Sequence, residues 1–300
     1  MVSSIGMNVL RTLVVAGAAA VLYDAPAGAL VQGQRPLTVS FAPAVIHPGD
    51  AVAITIGGAV EDDDIRATLF GGALSFTYDA SDGRWRALAG VDLETKPGTY
   101  RLRITRRSTG IESTRSVTVA PKRFRVRRLR VAEGFVDPPK AALEQIARDG
   151  ATLADVYARR SAKRWKGPFL PPVDGPASSN FGTRSYYNGR PRSPHAGVDF
   201  AAKLGTPVRA SNFGTIAIAS EMYFTGNTVV VDHGSGIISV FAHLSEFDAE
   251  AGDEVEPTTI VGRVGATGRV TGPHLHWSVR LAGARIDPLS LIAATKTLTR

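Results

Sequence analysis

The 300-residue chain contains no cysteine. Disulfides, thiolate metal ligands and lipid attachment at a cysteine are therefore excluded, and any metal site has to be built from His, Asp and Glu. Long apolar runs are also lacking near the N-terminus: Leu13 to Leu22 is about half of the roughly 20 residues that span a bilayer. Low-complexity stretches are absent. With 44% hydrophobic and 21% charged residues, the chain is too apolar and too evenly charged for disorder.

What is present in the first thirty residues is a leader pattern. Arg11 precedes the apolar run, and a small-residue stretch follows it, ending Ala27-Gly28-Ala29. A positive start, a short apolar core and small residues at the cut predict a secretory signal over 1–29, cleaved after Ala29. The mature chain is then expected in the periplasm or outside the cell, without a lipid anchor. The remaining length suits two domains. Glycine (31) and proline (18) are frequent, which favours short strands and turns over long helices.

The net charge of +8 is concentrated in one stretch: residues 121–173 carry 13 basic against 5 acidic side chains, while both flanks balance. Its densest part is Lys122-Arg123-Phe124-Arg125-Val126-Arg127-Arg128-Leu129-Arg130. Two readings account for 122–130: an ordinary strand with solvated arginines, or a surface that attracts an anionic cell-wall polymer or membrane. Secretion removes the opportunity for nucleic acid.

The pattern divides the mature chain in three. From 30 to 121, alternating runs such as LTVSFAPAVIHPGDAVAITIGG are broken by turn residues, which predicts an Ig-like β-sandwich. Residues 122–173 read as a basic helical connector. Within it, KAALEQIARDG has helical spacing that stops at Gly150, and Thr152 is placed to cap a second short helix. From 174 to 300 the short β-type runs return, predicting an antiparallel β domain with one helix at its C-terminal end.

Five of the six histidines fall in that last part. His195-Ala196-Gly197-Val198-Asp199 and His274-Leu275-His276 bracket Phe241-Ala242-His243-Leu244-Ser245. In a strand, residues i and i+2 share a face, so His274 and His276 point one way while Leu275 turns to the core. His195 and Asp199 converge if the Ala196-Gly197 segment bends. Two imidazoles and one carboxylate leave a fourth position open, as in catalytic rather than structural zinc. Zinc brings the pKa of its water down to about 7, so a hydroxide nucleophile is available near neutral pH. His243 and His274 then share acid–base work and oxyanion stabilisation. His47 and His233 read as packed or turn-shaping residues.

These motifs resemble those of the lysostaphin-type (LytM-like) zinc metallopeptidases, which cut peptide cross-links in bacterial peptidoglycan. The match runs in order from SNFGTR through HAGVDF, GTPVRA and GNTVVVDHGSGIISVFAHLS to GRVGATGRVTGPHLHWSVR. The resemblance implies one zinc ion per chain on His195, Asp199 and His276, with His243 and His274 as the catalytic pair, and no small organic cofactor. It implies a mainly β fold with a C-terminal antiparallel β peptidase domain of this type. Phe241 stands where relatives often carry Tyr, and Trp277 where Phe is common. In some relatives an upstream Asn fills the fourth zinc position and keeps the enzyme latent; Asn180 lies in the comparable region, in what also reads as a plain turn. The N-terminal half is similar to the β-sandwich preceding this domain in some Gram-negative members, which implies peptidoglycan of the diaminopimelate type and a D-alanyl–diaminopimelate bond. The alternatives are a zinc peptidase acting on proteins, and a catalytically silent module that binds cell wall or activates an amidase. Silent relatives lack one or more of the five positions, and here all five are filled.

Overall fold

The computed structural model describes residues 35–131, 136–178 and 180–299; the leader expected over 1–29 lies outside them. Eight strands come first: β1 (Thr38–Ala42), β2 (Ala51–Gly57), β3 (Ile65–Leu69), β4 (Gly72–Leu74), β5 (Thr77–Asp79), β6 (Arg84–Gly90), β7 (Gly98–Arg106) and β8 (Ile111–Val119). They form two four-stranded sheets ordered β1-β2-β6-β5 and β4-β3-β7-β8. Period two is clean in β3, where Ile65, Ala67 and Leu69 are buried and Arg66 and Thr68 exposed. The inward residues of both sheets, among them Ile54, Ile65, Trp85, Leu102 and Val117, share one core.

The stretch expected as a helical connector differs in two ways. Its basic run contains a strand, β9 (Val126–Leu129), which pairs in parallel with β10 (Arg184–Tyr187); β11 (Arg190–Pro191) completes a three-stranded sheet. Among the described residues, the two helical segments expected there form one α-helix, α1 (Leu143–Ala158), entered through a 3-10 turn at Lys140–Ala142. Gly150 does not end it, and Thr152 donates its hydroxyl back to the Arg148 carbonyl instead of capping a new start. A glycine costs a helix about 1 kcal/mol. Packing outweighs that cost, because Leu153, Val156 and Tyr157 cover Ile218, Met222, Val230, Ile238 and Val240 of the large sheet.

That sheet is nine-stranded and built from β12 (Gly197–Phe200), β13 (Pro207–Arg209), β14 (Gly214–Met222), β15 (Gly226–Asp232), β16 (Ile237–Phe247), β17 (Glu254–Val255), β18 (Ile260–Val264), β19 (Leu275–Leu281) and β20 (Ala284–Ile286). Its main path is β12-β19-β16-β15-β14-β17. The chain closes with α2 (Pro288–Leu298), whose start is fixed by Asp287 accepting from the Leu289 N–H and by Pro288 in the first turn. No helix among the described residues is long and apolar enough to cross a membrane.

Strand β2 ties the two β regions together because it is buried on both faces. Val52, Ile54 and Ile56 face the N-terminal core, while Ala51 and Ala53 belong to the cluster that holds Leu281, Ile286 and Leu291. The Ser290 hydroxyl accepts from the Ala51 N–H. Alongside, Arg285 donates to both Asp92 oxygens and to Glu94. Burial alone raises the Asp92 carboxyl, but the Arg285 guanidinium and two backbone N–H groups outweigh it and bring it down to about 2. A depressed carboxylate contributes stability that is present above its ordinary value of 3.8 and is lost as pH falls through about 2. Asp92 is one-third exposed, so solvent screening keeps that contribution modest. In urea titrations between about pH 4 and about pH 2, wild type is expected to lose more stability than Asp92→Asn. Equal losses would remove the pair from the interface energetics.

Candidate metal centre

Asp199 and His276 sit directly opposite each other in the β12–β19 ladder, the relation that brings cross-strand side chains together. His276 Nδ1 lies 2.9 Å from Asp199 Oδ1. His195 precedes β12, and its backbone is held by the segment leading into β10: its N–H donates to the Thr183 carbonyl, and its carbonyl accepts from the Gly182 N–H. That places His195 Nε2 3.2 Å from the same Asp199 oxygen. One ligand atom from each of His195, Asp199 and His276 lies within 4.8 Å of the others.

Gly197 is needed here for a different reason from the expected bend. A Cβ at this position would lie 2.5 Å from the Trp277 carbonyl oxygen and 2.7 Å from His276 Cε1. Glycine lets β12 run this close to β19 with the imidazole between them.

The second carboxylate oxygen is tied down separately. Asn180 Nδ2 donates to Asp199 Oδ2 at 2.6 Å, Asn180 Oδ1 accepts from the Ser178 hydroxyl at 2.6 Å, and Ser178 Oγ accepts from the Asp199 N–H at 3.1 Å. Asn180 thus holds a carboxylate, with its amide oxygen turned to Ser178. The turn expectation holds, since the Asn180 carbonyl accepts from the Thr183 N–H at 3.1 Å, but it did not include the side-chain bond to Asp199. The serine two residues upstream was the one available clue.

The other two histidines complete the cluster. His243 occupies a left-handed backbone conformation, φ 65°, where the β15–β16 register shifts. A non-glycine residue held there is strained, and the bulge re-aims its side chain. Its Nδ1 lies 2.9 Å from the Thr267 carbonyl, which assigns the proton to Nδ1 and leaves Nε2 available. His274 Nδ1 faces the Gly272 carbonyl at 2.9 Å. The two rings are 4.9 Å apart, and His243 is 6.0 Å from His276. All five residues anticipated from the motifs therefore meet in one place. His233 does not join them: it is fully buried, between the Phe213 carbonyl and the Ser239 hydroxyl.

Charge is distributed unevenly within the cluster. Burial pushes the Asp199 carboxyl up, but the His195 and His276 hydrogen bonds and their charge outweigh it, holding it well below the usual carboxylate range. Burial lowers His276, against the Asp199 bond that raises it. Burial likewise brings His243 down to about 4, against the Thr267 carbonyl. The site therefore presents one carboxylate beside imidazoles at His243 and His276 that burial biases toward the neutral form. Those residues fit a small divalent cation. Bonds of about 2.0–2.1 Å at tetrahedral angles put ligand atoms roughly 3.3 Å apart, close to the 2.9 and 3.2 Å between Asp199 Oδ1 and the two imidazole nitrogens, and the donor set is the nitrogen–oxygen one that zinc accepts.

Residues 193–288 match the model for Peptidase family M23. The crystal structure of a Pseudomonas aeruginosa protein assigned to peptidase M23 is 34% identical, with a TM-score of 0.65, over 83% of this chain and 95% of that one. The chain belongs to peptidase family M23. Named relatives of this M23 chain include the DD-carboxypeptidase/endopeptidase Mpg of Neisseria meningitidis serogroup B, 41% identical over 41% of this chain. The peptidoglycan DD-endopeptidase ShyA of Vibrio cholerae serotype O1 is 37% identical over 39% of it. The chain spans 28% of the length of each of these two relatives. The M23 match starts two residues before His195 and ends beyond His276, so it encloses four of the histidines of the cluster and Asp199, but not Ser178 or Asn180.

Proposed function

We propose that this chain is a zinc-dependent endopeptidase that hydrolyses peptide cross-links of bacterial peptidoglycan, at D-alanyl–diaminopimelate bonds, in the periplasm or outside the cell. The observation that carries the reading is the convergence of His195, Asp199 and His276 on one point, with two further imidazoles beside it. The endopeptidase names of the relatives support the substrate class. His195, Asp199 and His276 would hold the metal, which when bound supplies Lewis acidity toward a carbonyl and acidifies water. Asn180 keeps one Asp199 oxygen occupied so that the other faces the imidazoles. Neutral His243, with Nδ1 on Thr267, offers Nε2 as a proton acceptor. His274, anchored through its Nδ1–H on the Gly272 carbonyl, would donate from Nε2 to developing negative charge on the substrate oxygen as the imidazolium, after taking up a proton there.

Metal removal is the direct test. Stripping the protein with a chelator is expected to abolish digestion of purified sacculi, and stoichiometric zinc to restore it; digestion that persists in the stripped protein would refute the metal reading. Asn180→Ala is expected to weaken zinc affinity by about 10–100-fold, the usual cost of losing a partner of a metal-bound carboxylate. Competition against a chromogenic chelator measures it. Unchanged affinity would make the Ser178–Asn180 loop a purely structural turn.

A further inference from the structure

The basic run at 122–130 acquires a place in the structure that its sequence did not disclose. Ser185 in β10 is paired with Arg127 of β9 on one side. On the other, Tyr187 pairs Arg190 and Tyr186 pairs Pro191, and the Arg192 N–H donates to the Ser185 carbonyl at 2.9 Å. Arg127, Ser185 and Arg192 therefore form one row across the sheet, and residues of one row share a face. The small serine separates two arginines whose Cα atoms are about 10 Å apart, two strand spacings. Arg192 leans along the same face, its guanidinium 5.6 Å from the Tyr187 ring centre.

Arg192 contributes two polar atoms without a partner to this face. Seven buried side-chain polar atoms have no partner among the described residues, and three of them are Arg192 Nε and Nη2 and Thr183 Oγ1. Buried donors without acceptors are costly and call for an explanation. Neighbouring arginines are satisfied differently: Arg184 pairs with Glu94, and Arg190 with Asp137. Arg127 is exposed, and no carboxylate lies within ion-pair distance of it or of Arg192 among the described residues. Thr183 shares the face of Ser185, one row nearer the site, and its carbonyl takes the His195 N–H. Arg192 is only three residues before His195, so the two Cα atoms are within about 10–11 Å.

We infer that the Arg127–Ser185–Arg192 row binds a carboxylate of the substrate's peptide and so sets which peptides reach the His195 cluster. A guanidinium fork matches a carboxylate bidentately, and Ser185 stands between the two arginines in the row. This rests on the peptidoglycan reading, since stem peptides of the diaminopimelate type carry carboxylates that no peptide bond consumes.

The test uses the zinc-loaded full chain and a disaccharide tetrapeptide of diaminopimelate type, which has no cross-link to cut, beside the same compound with its carboxylates amidated. Calorimetry on wild type is expected to favour the free acid. Arg192→Gln is expected to raise the Kd of the acid about tenfold, the loss of one charge-assisted hydrogen bond, and to leave the amide unchanged. Arg192→Lys recovers part of the loss, and the exposed Arg127→Gln shows the same selectivity if Arg192→Gln fails to fold. Zinc stoichiometry stays constant throughout. Equal affinity of wild type for acid and amide, or an acid-to-amide ratio unmoved by both Gln variants, would overturn the inference. So would variants that lose only binding to phosphatidylglycerol vesicles, which would make the row a membrane contact. Intact cross-links in sacculi treated with wild type would count against the endopeptidase reading, while the acid-to-amide ratio would still decide the role of the row.

Discussion

His276→Ala is expected to lower kcat/KM on cross-linked peptidoglycan by at least about 10³-fold, since the several kcal/mol of charge stabilisation supplied by a metal goes with the ligand. His276 is the only one of the three grouped residues that lies inside the central part of the sheet, on β19 between β12 and β16. Its loss leaves Asp199 facing His195 alone, and two ligands rarely hold a catalytic zinc. The backbone of β19 stays paired on both sides and Leu275 and Trp277 remain buried, so the fold is expected to survive. Zinc content near zero with a preserved thermal transition is the predicted signature. A variant that keeps both its zinc and its activity would remove His276 from the site.

The second large effect is expected from a residue with no side chain. Gly197→Ala pushes a methyl group against the Trp277 carbonyl and the His276 ring. The ring alone could turn, but the carbonyl belongs to the β12–β19 ladder and cannot move without opening it. Overpacking of this kind costs about 1–3 kcal/mol. Relief by shifting β12 separates Asp199 from His276, because their opposition defines the register. The variant is therefore expected to lose stability and zinc affinity together, read by urea unfolding of the metal-free protein and by chelator competition. Lost affinity at unchanged metal-free stability would mean that only the ring moves. Unchanged values of both would contradict the close approach.

Sequence reasoning reached the chemistry through short spacings. The i, i+2 relation of His274 and His276 survives any context, and Leu275 between them is fully buried as alternation requires. What it missed depends on distant pairing. The parallel match of β9 with β10 joins Arg127 to Ser185 across a long stretch of chain, and no local pattern specifies it. The αL geometry of His243 comes from a bulge set by the neighbouring strand, not from a residue that favours that conformation. The continuous helix through Gly150 is a case of tertiary packing overriding propensity, since three of its apolar residues close one face of the large sheet. The Asn180–Asp199 bond was hidden for a related reason: it joins residues 19 positions apart, and the Ser178 hydroxyl on the Asn180 amide oxygen orients it.

The most direct test of the account is mass analysis of the muropeptides released when the zinc-loaded chain digests purified diaminopimelate-type sacculi, with His276→Ala alongside. Wild type alone is expected to consume cross-linked dimers and yield monomers with free D-alanyl and diaminopimelate termini. Dimers left intact by the zinc-loaded wild type, or consumed equally by His276→Ala, would contradict the account.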